Sequence, residues 1–384
     1  DQLPVGDPTL SAKEIVGNES QERMGIVIRE EDIEHIRQIA DRERAPFYVV
    51  GETTGDHRFV FEQTDGVKPI DLAMEDMFGK APRTVMTDRT VEETYEDVTY
   101  DQTQLDEYVE RVLQLEAVAC KDWLTNKVDR SVTGKIARQQ CQGEIQLPLS
   151  DCGVVALDYR GRAGIATSIG HAPQAALVDP AAGSVLSIAE ALTNIVWAPL
   201  SEGLDSVSLS ANWMWPCKNE GEDARLYRAV EACSDFACSL RINIPTGKDS
   251  LSMTQKYGKD KVYSPGTVII SAGAEVSDIR KVVSPVLRTG VNSTIYYIDF
   301  SFDKLKLGGS AFAQSLDKIG KEVPTVQDSE YFANAFNAVQ ELINKELILA
   351  GHDISAGGMI TTMLEMNFAN TEGCLLYTSD AADE

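Results

Sequence analysis

The sequence predicts a mixed α/β protein of more than one domain, on three observations. At 384 residues it exceeds what a single hydrophobic core ordinarily organises. Its composition, 43% hydrophobic, 25% charged and 7% aromatic, is that of a globular chain able to bury a core without disulfides or structural metal. Over most of its length, β-rich apolar runs alternate with segments of helical periodicity.

In order, the polar turn NESQER at residues 18–23 leads into an apolar run, Met24 to Ile28. EEDIEHIRQIADRER predicts an exposed helix with Ile33, Ile36 and Ile39 on one face. FYVVGETTGDHRFVF predicts a hairpin, two β-rich runs about a glycine-containing turn. From Asp65 to Thr103 the periodicity is lost and proline and acidic residues collect, which marks a linker. LDEYVERVLQLEAVA (105–119) returns to helical spacing. Next come a strand DCGVVALDY, a helix SVLSIAEALTNIVWA opened by Ser184 as N-cap, and a strand VSLSANWMW. A helix from Glu222 to about Leu240 and a strand PGTVIISAGAEV follow. A further unit starts near Arg288, with strand STIYYIDF, helix YFANAFNAVQELINKE, strand LILAGHD and helix AGGMITTMLEMNFA. The closing string CLLYTSDAADE (374–384) resembles translated sequencing-adapter DNA; the plain alternative is a genuine acidic tail. With no initiator Met at residue 1, it predicts a chain cut at both ends.

The charge balance is strongly acidic, 60 Asp and Glu against 35 Lys and Arg, a formal net charge of -25. No Lys/Arg run supplies the basic footprint that nucleic acid requires. Any anionic ligand would be held by metal ions, helix N-termini and a few local cations. The seven cysteines are odd in number and form no CxxC, which excludes a disulfide framework or zinc site and predicts reduced, mostly buried thiols. No signal peptide or membrane-length apolar run is present, so the expected location is cytoplasmic.

Common nucleotide motifs are absent: GxxxxGK[ST] and GxGxxG do not occur. Four segments could carry chemistry. Glu190 and Asn194 lie four apart on one helix face, where their oxygens suit a hard cation such as Mg²⁺; the pattern alone more readily describes a solvated face. Asp151 opens a strand, where binding residues collect and where Asp is also an ordinary turn residue. GHDISAGG ends an apolar run with Asp353 and starts a helix at Ser355, Gly357 and Gly358, either a phosphate-facing turn or a plain capped one. NIPTGKDSLSM (243–253) and NESQER are polar loops of the kind that hold ligands, and also of the kind common on any surface.

Taken together, NESQERM, DRERAP, GKAPR, DRSVTG, EALTNI, SANWM, GEDARLY, GKDSLSM, PGTVIISA and HDISAGG resemble, in order and from about Leu10 to Gly373, the phosphoribosylformylglycinamidine synthases of the long single-chain type. The resemblance implies an aminoimidazole-ribonucleotide-synthase-like duplicated core, in which a barrel-forming domain and an α/β domain occur twice. Here it implies the end of the first α/β domain (1–60), a linker (61–115), the second barrel-forming domain (116–287) and an incomplete second α/β domain (288–373). It further implies an ATP- and glutamine-dependent carbon–nitrogen ligase of purine biosynthesis, which converts formylglycinamide ribonucleotide to its amidine with ammonia drawn from glutamine. Site residues carry over by position. Asp151, Glu190, Asn194 and Asp353 resemble Mg²⁺ ligands around a structural ATP or ADP. Ser150, Ser355 and Lys121 resemble nucleotide contacts. Glu19, Ser20 and Gln21, with Lys248 and Ser250 more weakly, resemble substrate contacts. No catalytic residue is assigned, because the glutaminase and the catalytic half fall outside the chain; the missing parts of the same polypeptide are the expected partners, and neither nucleic acid nor membrane is. Alternatives are a non-catalytic module whose ADP only props the fold, another member of the superfamily such as thiamine-phosphate kinase, and an acidic scaffold without nucleotide.

Overall fold

The computed structural model describes residues 3–17, 23–80, 83, 85–125, 130 and 134–370. They fall into two compact units, residues 1–85 and 86–384.

The first unit holds α1 (Ala12–Gly17), α2 (Ile33–Glu43), β1 (Arg58–Phe61), β2 (Ile70–Ala73) and α3 (Met74–Phe78). The helical expectation for EEDIEHIRQIADRER holds: a 3₁₀ turn at Glu30–Asp32 enters α2, whose Ile33, Ile36 and Ile39 share a half-buried face. The hairpin differs. Residues 47–50 form no strand, and β1 pairs with β2, which lies inside the expected linker. The turn is made at Asp65-Gly66, where Asp65 Oδ1 accepts the Val67 amide (3.0 Å), the Gln63 amide donates to the Val67 carbonyl (2.9 Å) and Gly66 takes φ 81. Asp-Gly between apolar runs is the stronger hairpin signal.

The second unit begins with α4 (Leu105–Leu113) and α5 (Asp122–Thr125). Strands β3 (Ile136–Arg138), β4 (Cys141–Gln142), β5 (Leu147–Pro148), β6 (Gly153–Ala156) and β7 (Gly164–Gly170) precede α6 (Pro173–Val178) and α7 (Pro180–Ile195). Then come β8 (Ser208–Met214), α8 (Glu222–Ser239), β9 (Asn243–Ser250), β10 (Thr254–Tyr257), β11 (Asp260–Tyr263) and β12 (Thr267–Val276). Helices α9 (Ala311–Ser315), α10 (Ser329–Asn344) and α11 (Gly358–Phe368) complete it. Six strands form one sheet in the order β3-β6-β7-β12-β8-β9, antiparallel except for β8 with β9. A helix-covered, mostly antiparallel sheet is the α+β form of the expected mixed fold.

The core lies between this sheet and helices α7, α8 and α10, and buries Ile188, Leu192, Ile195, Ile270, Phe332 and Phe336. On β7 the covered positions are all small, Gly164, Ala166, Ser168 and Gly170, so α7 packs directly onto the strand backbone. A Cβ at Gly170 would sit 2.2 Å from the Ser187 carbonyl oxygen and 2.9 Å from Glu190 Cβ.

Several sequence expectations shift at element ends. Ser184 is not an N-cap; α7 starts one turn earlier, where Asp179 accepts the Ala181 amide (2.9 Å) and Pro180 takes the first helical position. Buried Ser184 instead donates to the Ala229 carbonyl of α8 (2.8 Å). The helix expected over 105–119 stops at Leu113. The GKDS segment is not a loop but the end of β9, because parallel pairing with β8 overrides its polar composition. STIYYIDF and LILAGHD form no strands: among the described residues no ladder includes them, and Tyr296, Tyr297 and Leu347 are exposed. The expected segments 116–287 and 288–373 lie in one compact unit.

Gln340 ties these two segments together. Its amide donates to the carbonyls of Val196 (2.5 Å) and Ala198 (2.9 Å), and its oxygen accepts the Leu200 amide (2.8 Å). All three bonds are buried and hold the turn after α7 against α10. Gln340→Leu is expected to cost roughly 3 kcal/mol in denaturant unfolding, because it strands buried backbone groups with no solvent to replace the side chain. A loss below about 0.5 kcal/mol would mean the turn rehydrates.

Candidate metal and nucleotide centre

Three carboxylates distant in sequence meet at one end of α7. Asp151 stands just before β6, Glu190 is on α7, and Asp353 is in the turn before α11. Each position has a local cause. The Ser150 hydroxyl donates to the Gln139 carbonyl (2.6 Å) and accepts from the Gln142 amide (2.7 Å), which fixes the loop that presents Asp151. Glu190 is brought in by the close contact of α7 with β7. Asp353 is held through its carbonyl by the Thr362 hydroxyl of α11 (3.0 Å). Gly351 brings Asp353's segment against Trp197, since a Cβ there would lie 2.1 Å from the indole ring.

His352 sits among these acids. Its Nδ1 is 2.5 Å from Asp151 Oδ1 and 3.6 Å from Asp353 Oδ1, and its Nε2 is 3.0 Å from Glu365 Oε2 on α11. Burial disfavours the charged ring, but the hydrogen bonds to Asp151 and Glu365 outweigh it and raise its pKa to about 10. The Ser355 hydroxyl donates to Glu190, and Asn194, one turn on from Glu190, donates to the Ile169 carbonyl (3.0 Å).

The carboxylates remain electrostatically uncomfortable. Burial raises Asp353 well above the ordinary range, with the charges of Asp151 and Glu190 adding to it. Burial also raises Asp151 and Glu190, against the pull of His352 on the first and of Ser355 on the second. Asp353 is 7% exposed and its Oδ2 has no hydrogen-bond partner. A buried carboxylate oxygen without a partner, close enough to feel the charges of two more acids, suits a hard divalent cation, although the ligand atoms within 4.8 Å of one another are those of Asp151, His352 and Asp353, without Glu190.

The structure therefore brings together Asp151, Glu190, Asn194, Asp353 and Ser355, with Ser150 beside them. Others stand apart. The Lys121 ammonium donates to the Ala119 carbonyl (2.7 Å), and no bond joins it to the cluster among the described residues. Lys248 and Ser250 bond to each other on edge strand β9, four strand spacings from β6, or about 19 Å. Glu19, Ser20 and Gln21 lie outside the described residues. Sequence reasoning missed His352 and Glu365. The available signal was that Glu365 is the one charged residue in GMITTMLEMNF. Among the described residues no disulfide forms; burial pushes the Cys152 thiol up to about 12 and that of Cys233 to about 11.

Two outcomes follow from this geometry. Gly351→Ala is expected to drive the segment carrying His352 and Asp353 off Trp197. It should cost about 1–3 kcal/mol of stability and shift the tryptophan emission. The pH dependence has a definite sign. Carboxylates with raised folded-state pKa stabilise the cation-free chain below their unfolded values near 4, and that contribution is lost as pH rises through the folded values. His352 works the other way, its contribution full below about 6.5 and lost as pH rises through about 10. A divalent cation held by these acids would need them ionised, so its affinity should climb as pH rises above the unfolded carboxylate values near 4, by about tenfold per pH unit for each proton displaced. Calorimetric titration at several pH values checks this, and a flat profile would contradict it.

The chain matches the family described as FGAR-AT PurM_N-like domain over residues 120–275, and that described as AIR synthase related protein, C-terminal domain, over residues 1–63 and 293–383. The second match runs into the closing segment 374–384. Phosphoribosylformylglycinamidine synthases of Dictyostelium discoideum and Drosophila melanogaster are 37% and 38% identical to it over 99% of the chain, and that of Homo sapiens 38% over 97%. The chain covers 29% of each of these relatives. The fold resembles solved Thermotoga maritima PurL complexed with ADP, with a TM-score of 0.53 and 17% identity over 74% of this chain and 43% of that one. Likeness to T. maritima PurLQS is similar, TM-score 0.51 at 16% identity over 74% of this chain and 43% of that one. The chain belongs to the phosphoribosylformylglycinamidine synthase family, as a stretch spanning 29% of the length of those relatives.

Proposed function

We propose that this chain is the part of a phosphoribosylformylglycinamidine synthase that holds a Mg²⁺-bound adenine nucleotide in a structural role beside the ligase's catalytic centre. The observation that carries the reading is the convergence of Asp151, Glu190 and Asp353, with the buried Asp353 Oδ2 left unpaired. The fold likeness to a PurL complexed with ADP, and to one complexed with AMPPCP at TM-score 0.53, supports a nucleotide at this fold. The relatives' name supports the wider activity, conversion of formylglycinamide ribonucleotide to its amidine with ATP and glutamine in purine biosynthesis.

In this reading Asp151, Glu190, Asn194 and Asp353 hold the cation. Bound there, Mg²⁺ supplies the positive charge that a nucleoside polyphosphate needs in an acidic protein. Ser150 and Ser355 present hydroxyls beside it, and Ser355 must turn from Glu190 to reach a ligand. Lys121 would have to leave the Ala119 carbonyl to meet phosphate. Glu19, Ser20 and Gln21, and more weakly Lys248 and Ser250, are assigned as substrate contacts. Ammonia and the catalytic nucleotide site are supplied by other parts of the same polypeptide. None of the described helices is long and apolar enough to cross a membrane. We place the protein in the cytoplasm, although the Arabidopsis thaliana relative is named chloroplastic/mitochondrial.

Mass spectrometry of the purified, denatured chain should release ADP in near-stoichiometric amount, and the double variant Glu190→Ala, Asp353→Ala should release none. Equal nucleotide from both proteins would refute the site; none from either would favour an acidic scaffold. Supplied with ATP, formylglycinamide ribonucleotide and ammonia, the 384-residue chain alone should form no amidine, and detectable product would contradict a purely structural nucleotide.

A further inference from the structure

We infer that His352 is not a ligand of the cation but a positioning residue, locked at both ring nitrogens, and that Glu365 is the anchor that locks it. The inference rests on the cation site proposed above. Asp151, His352 and Asp353 each offer a ligand atom, all within 4.8 Å of one another, so spacing alone would admit His352 as a third ligand. Its bonding does not. Nδ1 faces Asp151 Oδ1 at 2.5 Å and Nε2 faces Glu365 Oε2 at 3.0 Å. Each ring nitrogen is thus already within hydrogen-bond distance of a carboxylate oxygen, so neither is left over for a metal.

The ring instead takes one oxygen of Asp151 and fixes that carboxylate's orientation toward the cation, as ligand-supporting partners do in metal sites generally. Glu365 reaches the ring from α11, thirteen residues along the chain, and its side chain is 28% exposed, against 8% for His352. It is therefore not filling the core, and holding the imidazole accounts for its presence on an otherwise uncharged helix. The consequence is an all-oxygen ligand set, which suits Mg²⁺ or Mn²⁺ and disfavours Zn²⁺.

The test uses the 384-residue chain, stripped of nucleotide, with Mn²⁺ as probe. Electron spin-echo modulation of bound Mn²⁺ should show no directly coordinated nitrogen. Glu365→Ala should weaken Mn²⁺ binding about 10–100-fold, and Glu365→Gln, whose amide oxygen can still accept from Nε2, should recover most of it. Thermal unfolding without cation reports whether the variants fold, and a general loss of structure would lower both Tm and affinity in the two variants alike. A histidine nitrogen coupled to Mn²⁺ overturns the inference and leaves the cation site standing. Unchanged affinity in Glu365→Ala, or equal loss in both variants, overturns it too. Failure of the wild-type chain to bind Mn²⁺ overturns the cation site itself, and this inference with it.

Discussion

Burying three carboxylates side by side is the constraint around which the second unit is built. Desolvation and mutual repulsion both oppose it, and the groups nearest by offset only part of the cost: His352 against Asp151, Ser355 against Glu190, and nothing on Asp353 Oδ2. The rest must come from burial elsewhere in the same unit. The contact of α7 with β7 supplies it, because Ile188, Leu192 and Ile195 sink fully beneath the sheet on the same helix that delivers Glu190. Small residues on β7 are what permit that depth. A larger side chain at Gly170 would press on the α7 backbone and on Glu190 Cβ.

Convergence also explains why the segments before and after about residue 287 are bonded so directly. Asp151 and Glu190 come from one side of that point and Asp353 from the other. Loose packing between the two would leave the acids too far apart to share a cation. The links run through polar bonds: Gln340 to the turn at 196–200, the Gly351 amide to the Ser284 carbonyl (3.1 Å), and the Asn370 side chain to the Leu287 carbonyl (3.0 Å). Such bonds are directional, so they fix register as well as distance, which apolar contact alone does poorly.

Much of the fold was legible because periodicity survives burial: α2, α8, α10 and the long strand β12 lie close to where their spacing puts them. Failures cluster where partners decide. STIYYIDF has strand composition and no strand to pair with, whereas GKDS has loop composition and a parallel neighbour in β8. At the site, the Glu190–Asn194 pair is readable from helical spacing, but its meeting with the Asp353 segment depends on contacts between distant parts of the chain, such as the bond from Ser355 to Glu190, 165 residues apart. Those could be anticipated only through family resemblance. His352 shows the limit most clearly, since one histidine beside an aspartate says nothing about a glutamate thirteen positions on.

The chain's acidity and its proposed nucleotide have to be reconciled by local structure. A net charge of -25 repels a polyphosphate, although at physiological ionic strength that repulsion is largely screened beyond about 8 Å. What matters is the field inside the site, where burial weakens screening. There the described side chains contribute carboxylates, hydroxyls and one imidazole pinned between acids, while Lys121 is turned onto a backbone carbonyl. An anion could not enter such a site by itself. It could enter with a divalent cation that satisfies Asp353 Oδ2 on one side and phosphate on the other. On the reading proposed here, the acidic cluster makes nucleotide binding conditional on metal, and binding of the pair then relieves the repulsion that folding had to carry.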